Sequence, residues 1–250
     1  MANIVDFIRL NILLVTNAVT LVCLLFLIFY YRIPKKIILK ITEPKYCKQK
    51  FLKTINHNGK LLDVGCGNNS PYTIKTKYPN IIYTGIDVGE YNQTKPNLAD
   101  NYIVVEPENF AEAIAKMSEL FDTVISSHNL EHCNDREKTL DAMIKVLKPR
   151  GYLFLSFPTE KSVNFPGFRS GCLNYYDDTT HKLSPPDFDK VIQALKENNM
   201  EIIFSSKSYK PLLLYFIGFL MEYKSKKDKK VKIGTWAYWG FEAIIWARKI

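Results

Sequence analysis

At 250 residues and 47% apolar content, the chain has room for one α/β domain with a packed core and a short appendage. Its five cysteines (Cys23, Cys47, Cys66, Cys133, Cys172) are scattered, odd in number and without a C-x-x-C pair, which excludes a disulfide framework and favours a reducing compartment. The net charge of +9 is concentrated in two clusters: eight basic residues against Glu43 from Arg32 to Lys53, and six lysines against Asp228 from Lys224 to Lys232. Both adjoin apolar segments, which points to anionic lipid headgroups and away from nucleic acid; a solvated lysine face is the plainer alternative for the second.

Leu10 to Tyr31 is a run of 22 residues without a charge, bracketed by Arg9 and Arg32. A helix of that length covers the roughly 30 Å hydrocarbon core, and Tyr30 and Tyr31 fall where an interfacial aromatic belt belongs. The run is too long for a cleaved signal peptide, and no small-residue cleavage site follows. Basic residues crowd its C-terminal side, so the positive-inside rule predicts a single-pass protein of the cell membrane with everything after Arg32 cytoplasmic. The expected organisation is a transmembrane anchor over residues 1–31, a basic juxtamembrane linker over 32–58 and an α/β domain over 59–250, with the lipid bilayer as a partner.

Beyond the linker, strands and helices alternate in the pattern of a parallel sheet covered on both faces. Strands are expected at Lys60–Val64, Ile81–Ile86, Tyr102–Val105, Phe121–Ser126, Tyr152–Phe157, Glu201–Ser205 and Phe241–Ala247. Helices are expected at Glu108–Leu120, from an Asn134 cap to before Pro149, at Pro185–Asn198 and at Pro211–Tyr223.

The sharpest motif is Leu61-Leu62-Asp63-Val64-Gly65-Cys66-Gly67-Asn68-Asn69-Ser70, a strand delivering an acidic residue and then glycines at the first strand–helix turn. Glycines there permit tight turning and close ligand approach. Twenty-four residues after Asp63 the second strand ends on Asp87, whose carboxylate can accept two ribose hydroxyls. A plain strand–turn–helix without a ligand is the bland alternative. A dinucleotide site would need a third glycine where Ser70 stands, and Asp63 would repel a pyrophosphate. The same carboxylate suits the cationic aminoacyl end of S-adenosylmethionine.

With these residues the segment from about Gly59 to Phe157 resembles the class I methyltransferases, specifically the broad methyltransferase-11-type domain. The resemblance extends to Ser127-His128-Asn129-Leu130-Glu131-His132 after the fourth strand and to Leu147-Lys148-Pro149-Arg150-Gly151. It implies S-adenosyl-L-methionine as cofactor and a Rossmann-like, seven-stranded, mostly parallel sheet with helices on both faces and its last strand antiparallel. It also implies that Gly65 and Gly67, with Cys66 between them, line the methionine moiety, that Asp63 orders its amino group and that Asp87 holds the ribose. Val88, Glu106 and Ser127 are further candidates around the cofactor. Members often carry a glycine where Asn69 stands.

His128, Glu131 and His132 also match the zinc-peptidase pattern H-x-x-E-H, but a helix cap two residues later makes this stretch loop, and no metal site is expected. Methyl transfer to a hydroxyl needs a proton acceptor; His128 leads, with His132 and His181 behind it. The polar, aromatic stretch from Phe165-Pro166-Gly167-Phe168-Arg169 through Asn174-Tyr175-Tyr176-Asp177-Asp178 to His181-Lys182 reads as a lid over an acceptor, an ordinary surface excursion being the alternative. Chains with such an anchor and an N-Y-Y-D-D-x-T-H-like insertion resemble bacterial enzymes of surface-glycan synthesis, which implies O-methylation of a lipid-linked sugar at the cytoplasmic membrane face. A quinone or other lipid acceptor is the alternative within the class, and a non-catalytic cofactor-binding scaffold the alternative outside it.

Overall fold

The computed structural model describes residues 11–12, 14–18, 20–22, 24–25, 43–165, 174–181 and 183–250. Two compact units are present, Met1–Glu43 and Pro44–Ile250. In the first, the described residues between 11 and 25 are helical, and Ile12, Leu14, Val15 and Val22 are exposed. Ten of the 22 residues of the expected span over residues 10–31, among them 26–31, lie outside the described residues. Among those described, no helix is long and apolar enough to cross a membrane.

The second unit opens with α1 (Lys48–Leu52), followed by β1 (Lys60–Val64), α2 (Ser70–Lys77), β2 (Ile82–Asp87) and β3 (Asn101–Val104). Then come α3 (Phe110–Ala115), β4 (Phe121–Ser127), α4 (Arg136–Lys145), β5 (Leu147–Pro158), α5 (Phe188–Glu197), β6 (Met200–Ser206), α6 (Leu212–Asp228), α7 (Thr235–Trp239) and β7 (Glu242–Lys249). The strands form one seven-stranded sheet in the order β3-β2-β1-β4-β5-β7-β6. β1 to β5 pair in parallel, while β7 runs antiparallel between β5 and β6.

Side chains alternate across a strand, so successive residues of β1 feed different cores. Leu62 and Val64 join a cluster with Phe110, Ile114, Met143 and Leu195, whereas Leu61 joins Phe51, Tyr83, Phe154 and Trp246. Burial on both faces explains why the central strands are near-continuously apolar. The second core corrects the domain boundary. Phe51, Leu52 and Ile55 are buried, Tyr46 stacks on Phe204 with ring centroids 3.5 Å apart, and Trp246 Nε1 donates to Tyr46 O at 3.1 Å. Residues 44–58 are therefore part of the domain and not a linker.

Three local expectations also shift. The cap of α4 is Asp135, which accepts from Lys138 N at 3.0 Å, because the helix begins one residue later than Asn134 would require. β5 starts at Leu147, running through Pro149 with an irregular register against β4 and Arg150 at φ 64°. The helix expected over Glu108–Leu120 is one 3-10 turn, Pro107–Asn109, leading into a short α3.

Candidate active site

The strand order reverses between β1 and β4, and at that switch point the carboxyl ends of parallel strands leave a crevice. A cavity of about 530 Å³ lies there, with Gly65, Gly67, Asp87 and Val88 on its wall at one end and His128, His132, Trp236 and Phe241 at the other.

The glycine end is built by backbone conformation. Gly65 has φ +77°, and a Cβ on it would come within 2.5 Å of Asn129; a Cβ on Gly67 would approach Tyr91 to 3.0 Å. Only glycine is accommodated at the first position. Asn68 and Asn69 follow in the left-handed region at φ 55° and 58°. Asn69 thus adopts the conformation of the glycine it replaces, a region asparagine tolerates. Its Oδ1 accepts from Thr94 N at 2.8 Å and Lys95 N at 2.7 Å, which ties the loop to the β2–β3 connection.

Asp63 and Cys66 are not on the cavity wall. Asp63 is buried beneath the loop and accepts from Ser70 Oγ at 2.5 Å and Tyr83 OH at 2.6 Å, pinning the first residue of α2. Cys66 packs its Sγ 2.7 Å from where a Gly85 Cβ would stand, while its carbonyl accepts from Gln93 Nε2 at 2.9 Å. Burial, with Asp63 and Asp87 nearby, pushes its thiol up and keeps it neutral. Asp87 does reach the cavity. Burial pushes its carboxyl up, Val88 N–H donating at 2.8 Å opposes this, and the charge of Asp63 adds to the rise. Ser127, also on the wall, shares a hydrogen bond with Ser156 at 2.9 Å, and Glu106 is not on the wall.

At the far end, the three candidate histidines meet different fates. His128 leaves β4 in the left-handed region at φ 53°. Its Nδ1 is 3.2 Å from Glu131 and its Nε2 3.3 Å from Glu242. Burial works against the cation, but the hydrogen bonds to Glu131 and Glu242 outweigh it and push the imidazole up to about 10. A carboxylate at each nitrogen favours the doubly protonated ring, which lacks the lone pair that the base role expected of His128 needs.

His132 ends a single 3-10 turn, Leu130–His132, and Burial holds its imidazole below the ordinary value of 6.5. Glu131 opposes that shift and His181 adds to it. Thr180 Oγ1 donates to the Asp178 carboxylate at 2.6 Å, so its contact with His132 Nδ1 at 2.8 Å is one in which the ring N–H donates and the hydroxyl accepts. That fixes the tautomer and leaves Nε2 as the lone pair. His181 donates from Nδ1 to Tyr175 O at 2.5 Å and stacks on the Tyr175 ring, which braces the 174–181 segment. Arg136 ties this segment to the β4 exit through Leu130 O, Glu131 O, Tyr175 OH and Ser184 O. The lid expected over 165–182 is thus ordered and on the cavity wall at its second half; residues 166–173 and 182 lie outside the described set.

The structure also brings together a trio that H-x-x-E-H does not name. Glu131, His132 and His181 each offer one ligand atom, all within 4.8 Å of one another, and Glu131 Oε2 is buried without a partner among the described residues. Sequence reasoning missed Thr180 as the contact of His132, and it missed Glu242 and Trp236. Thr180 stands beside His181 in the insertion and was legible; Glu242 carries no local signal.

A family model described as a methyltransferase domain, of the type numbered 23, matches residues 42–205. The chain is 30% identical over 105 residues to a ubiquinone biosynthesis O-methyltransferase of Bartonella tribocorum, covering 40% of this chain and 41% of that one. It is 33% identical over 104 residues to the protein of that name from Saccharophagus degradans, covering 39% and 42%. The chain thus matches about two fifths of the length of these curated relatives. Among solved structures it superposes on a SAM-dependent methyltransferase from Archaeoglobus fulgidus with TM-score 0.52 at 16% identity, covering 90% of this chain and 99% of that one. A putative sarcosine dimethylglycine methyltransferase from Galdieria sulphuraria gives 0.53 at 16%, covering 81% and 82%. Those likenesses are of fold. The family match runs from before α1 into β6 and takes in the glycine loop, Asp87 and the histidine turn, and by it the chain belongs to the class I S-adenosylmethionine-dependent methyltransferases.

Proposed function

We propose that the protein transfers the methyl group of S-adenosylmethionine to a phenolic hydroxyl of an amphipathic acceptor, with His132 as general base. The observation that carries this reading is the setting of His132: on the cavity wall, with Nδ1 committed to Thr180 and Nε2 left as a lone pair, and with burial pushing its imidazole down. The cofactor suits the residues present. A glycine loop in which Gly65 admits no side chain gives close backbone approach, and Asp87 is a buried carboxylate whose charge two ribose hydroxyls would stabilise. When bound, S-adenosylmethionine supplies an electrophilic methyl carbon. His132 Nε2 would take the acceptor's proton, and the methyl group that the cofactor would supply would end on the acceptor oxygen as a methyl ether, with S-adenosylhomocysteine as the other product. Asp178 stabilises the resulting imidazolium through the Thr180 hydroxyl. His128, clamped as a cation between Glu131 and Glu242, braces the β4 exit against the start of β7.

A phenol ionises near about 10, within reach of a histidine base, whereas a sugar alcohol ionises well above that. Trp236 and Phe241 give this end of the cavity an aromatic wall, and Trp236 Nε1 is a buried donor without a partner among the described residues. The names of the curated relatives support the phenolic reading over the lipid-linked sugar expected first. The apolar run over residues 10–31, followed by eight basic residues, supports a site at the cytoplasmic membrane face; a reporter fused after Ile250 should be active in the cytoplasm, and periplasmic activity would overturn that placement. The test of the chemistry is incubation with methyl-labelled S-adenosylmethionine and parallel panels of dihydroxyphenols and sugars. Label in a phenolic methyl ether is expected. Label in sugars would overturn the acceptor class, and none in either would favour a non-catalytic scaffold.

A further inference from the structure

α6 has two unlike faces. Ile217, Gly218 and Ser225 are buried, and Gly218 sits so tightly on Gly234 before α7 that a Cβ would come within 2.0 Å of the Gly234 carbonyl oxygen. Opposite them, Leu212, Phe216, Phe219, Leu220 and Tyr223 are exposed, the first at 72% and the last at 74%. At 3.6 residues per turn these five fall within an arc of about 100°. The stripe is therefore one continuous apolar face on a helix whose other side is already packed.

The charges at its end indicate what covers it. Lys224, Lys226, Lys227, Lys229 and Lys230 are exposed at or just past the C-terminal turn. Lys226 is paired with Glu222, but Asp228 is the single acidic residue within the lysine cluster and pairs with Lys232. A second copy of the chain would supply no counter-charge. Parallel pairing would set lysines on lysines, and antiparallel pairing would set them beside Lys210. Lipid phosphates supply the missing charge, and acyl chains supply the partner for the stripe. At 17 residues, α6 is too short to span a bilayer and lies instead in its plane.

We infer that α6 is an interfacial docking helix that seats the catalytic domain on an anionic bilayer, its stripe in the acyl boundary and its lysines at the headgroups. α7, packed against α6, contributes Trp236 to the cavity wall. The inference stands on α6 alone and does not depend on the acceptor or on residues 1–43.

The experiment uses the full chain carrying Tyr223→Cys, labelled with an environment-sensitive fluorophore, and vesicles of phosphatidylcholine with or without phosphatidylglycerol. A blue shift and quenching by doxyl-labelled lipid are expected on anionic vesicles. Each should fall several-fold in 0.5 M salt, in the Lys224→Gln/Lys227→Gln/Lys229→Gln/Lys230→Gln variant, and in Phe216→Ser/Phe219→Ser, because each lysine near an anionic surface contributes up to about five-fold in partition. Equal response on pure phosphatidylcholine would overturn the inference. So would no response on either vesicle, or a concentration-dependent blue shift without vesicles, which would mean a second copy covers the stripe. Methyl transfer to a water-soluble phenol is followed in parallel and should be unchanged in the α6 variants, so failure of docking and failure of the proposed chemistry read out separately.

Discussion

Replacing Thr180 with valine keeps the side-chain shape and removes one hydroxyl, which isolates what that hydroxyl does. In the native protein it accepts from His132 Nδ1 at 2.8 Å and donates to Asp178 at 2.6 Å. While His132 is neutral, losing such a bond costs about 0.5–1.5 kcal/mol; once the ring is an imidazolium the bond is charge-assisted and worth about 1.5–3 kcal/mol. The charge exists only as the proton arrives, so most of the loss falls on the transition state. The rate reads the difference between the two states, about 1–1.5 kcal/mol, which corresponds to a decrease of roughly 5- to 13-fold in kcat. Thr180 is not among the groups that contact the glycine loop or Asp87, so the affinity for S-adenosylhomocysteine should stay at the native value. A second signature follows from the same bond: without it the imidazolium is less stable, and the acid limb of the rate profile should move to lower pH. Steady-state kinetics from about pH 5 to 8 and calorimetric titration read both quantities, and Thr180→Ser should restore them. Native kcat in Thr180→Val, or a loss confined to cofactor affinity, would refute the assignment of His132 as base.

For the native protein, kcat/KM should fall as pH drops through a value below 6.5, where His132 becomes protonated, and fall again near 10, where His128 loses its proton. The stability contributed by His128 has the sign of a raised pKa: it is complete below about 6.5 and lost as pH rises through about 10, which thermal melts across that window would register. Asp87→Ala should weaken S-adenosylhomocysteine binding by about 1–3 kcal/mol, and unchanged calorimetric affinity would remove the ribose role. Dialysis against EDTA should leave turnover unaltered; loss of activity restored by a divalent cation would mean that Glu131, His132 and His181 hold an ion, and His132 would no longer be the base.

What the sequence made legible is mostly local. The strand–turn–helix from Lys60 to Lys77 places its glycines within a few residues of the elements they join, so the positions of Gly65, Gly67 and the strand-ending Asp87 at the strand ends, now on the cavity wall, were readable without knowing the rest of the sheet. Asp63 misled because an acidic residue before glycines looks like a ligand contact, whereas Ser70 and Tyr83 turn it inward. Tyr83 lies on the neighbouring strand, and its hydroxyl reaches Asp63 only because β1 and β2 pair in the register Asp63↔Gly85. The protonation of His128 was out of reach for the same kind of reason. Glu242 is 114 residues away and arrives through the antiparallel pairing of Pro158 with Glu242. No periodicity in the chain announces that contact.

The two histidines of His128-Asn129-Leu130-Glu131-His132 sit four residues apart, and their imidazoles are pushed in opposite directions because of how the carboxylates approach. Glu131 and Glu242 touch His128 directly, and direct contact stabilises the cation before any substrate arrives. Asp178 reaches His132 through an intervening hydroxyl. The hydroxyl transmits orientation fully, since it fixes which nitrogen carries the proton, but it transmits charge weakly, since it adds distance between carboxylate and ring. Burial is then free to hold His132 neutral. A carboxylate in place of the hydroxyl would give stronger stabilisation of the imidazolium and, by the same interaction, fill the lone pair that must accept the proton. Environments that push the two rings apart in this way mark which of them can do acid–base work, and the proposal of His132 as base over the residue closer to β4 rests on that difference.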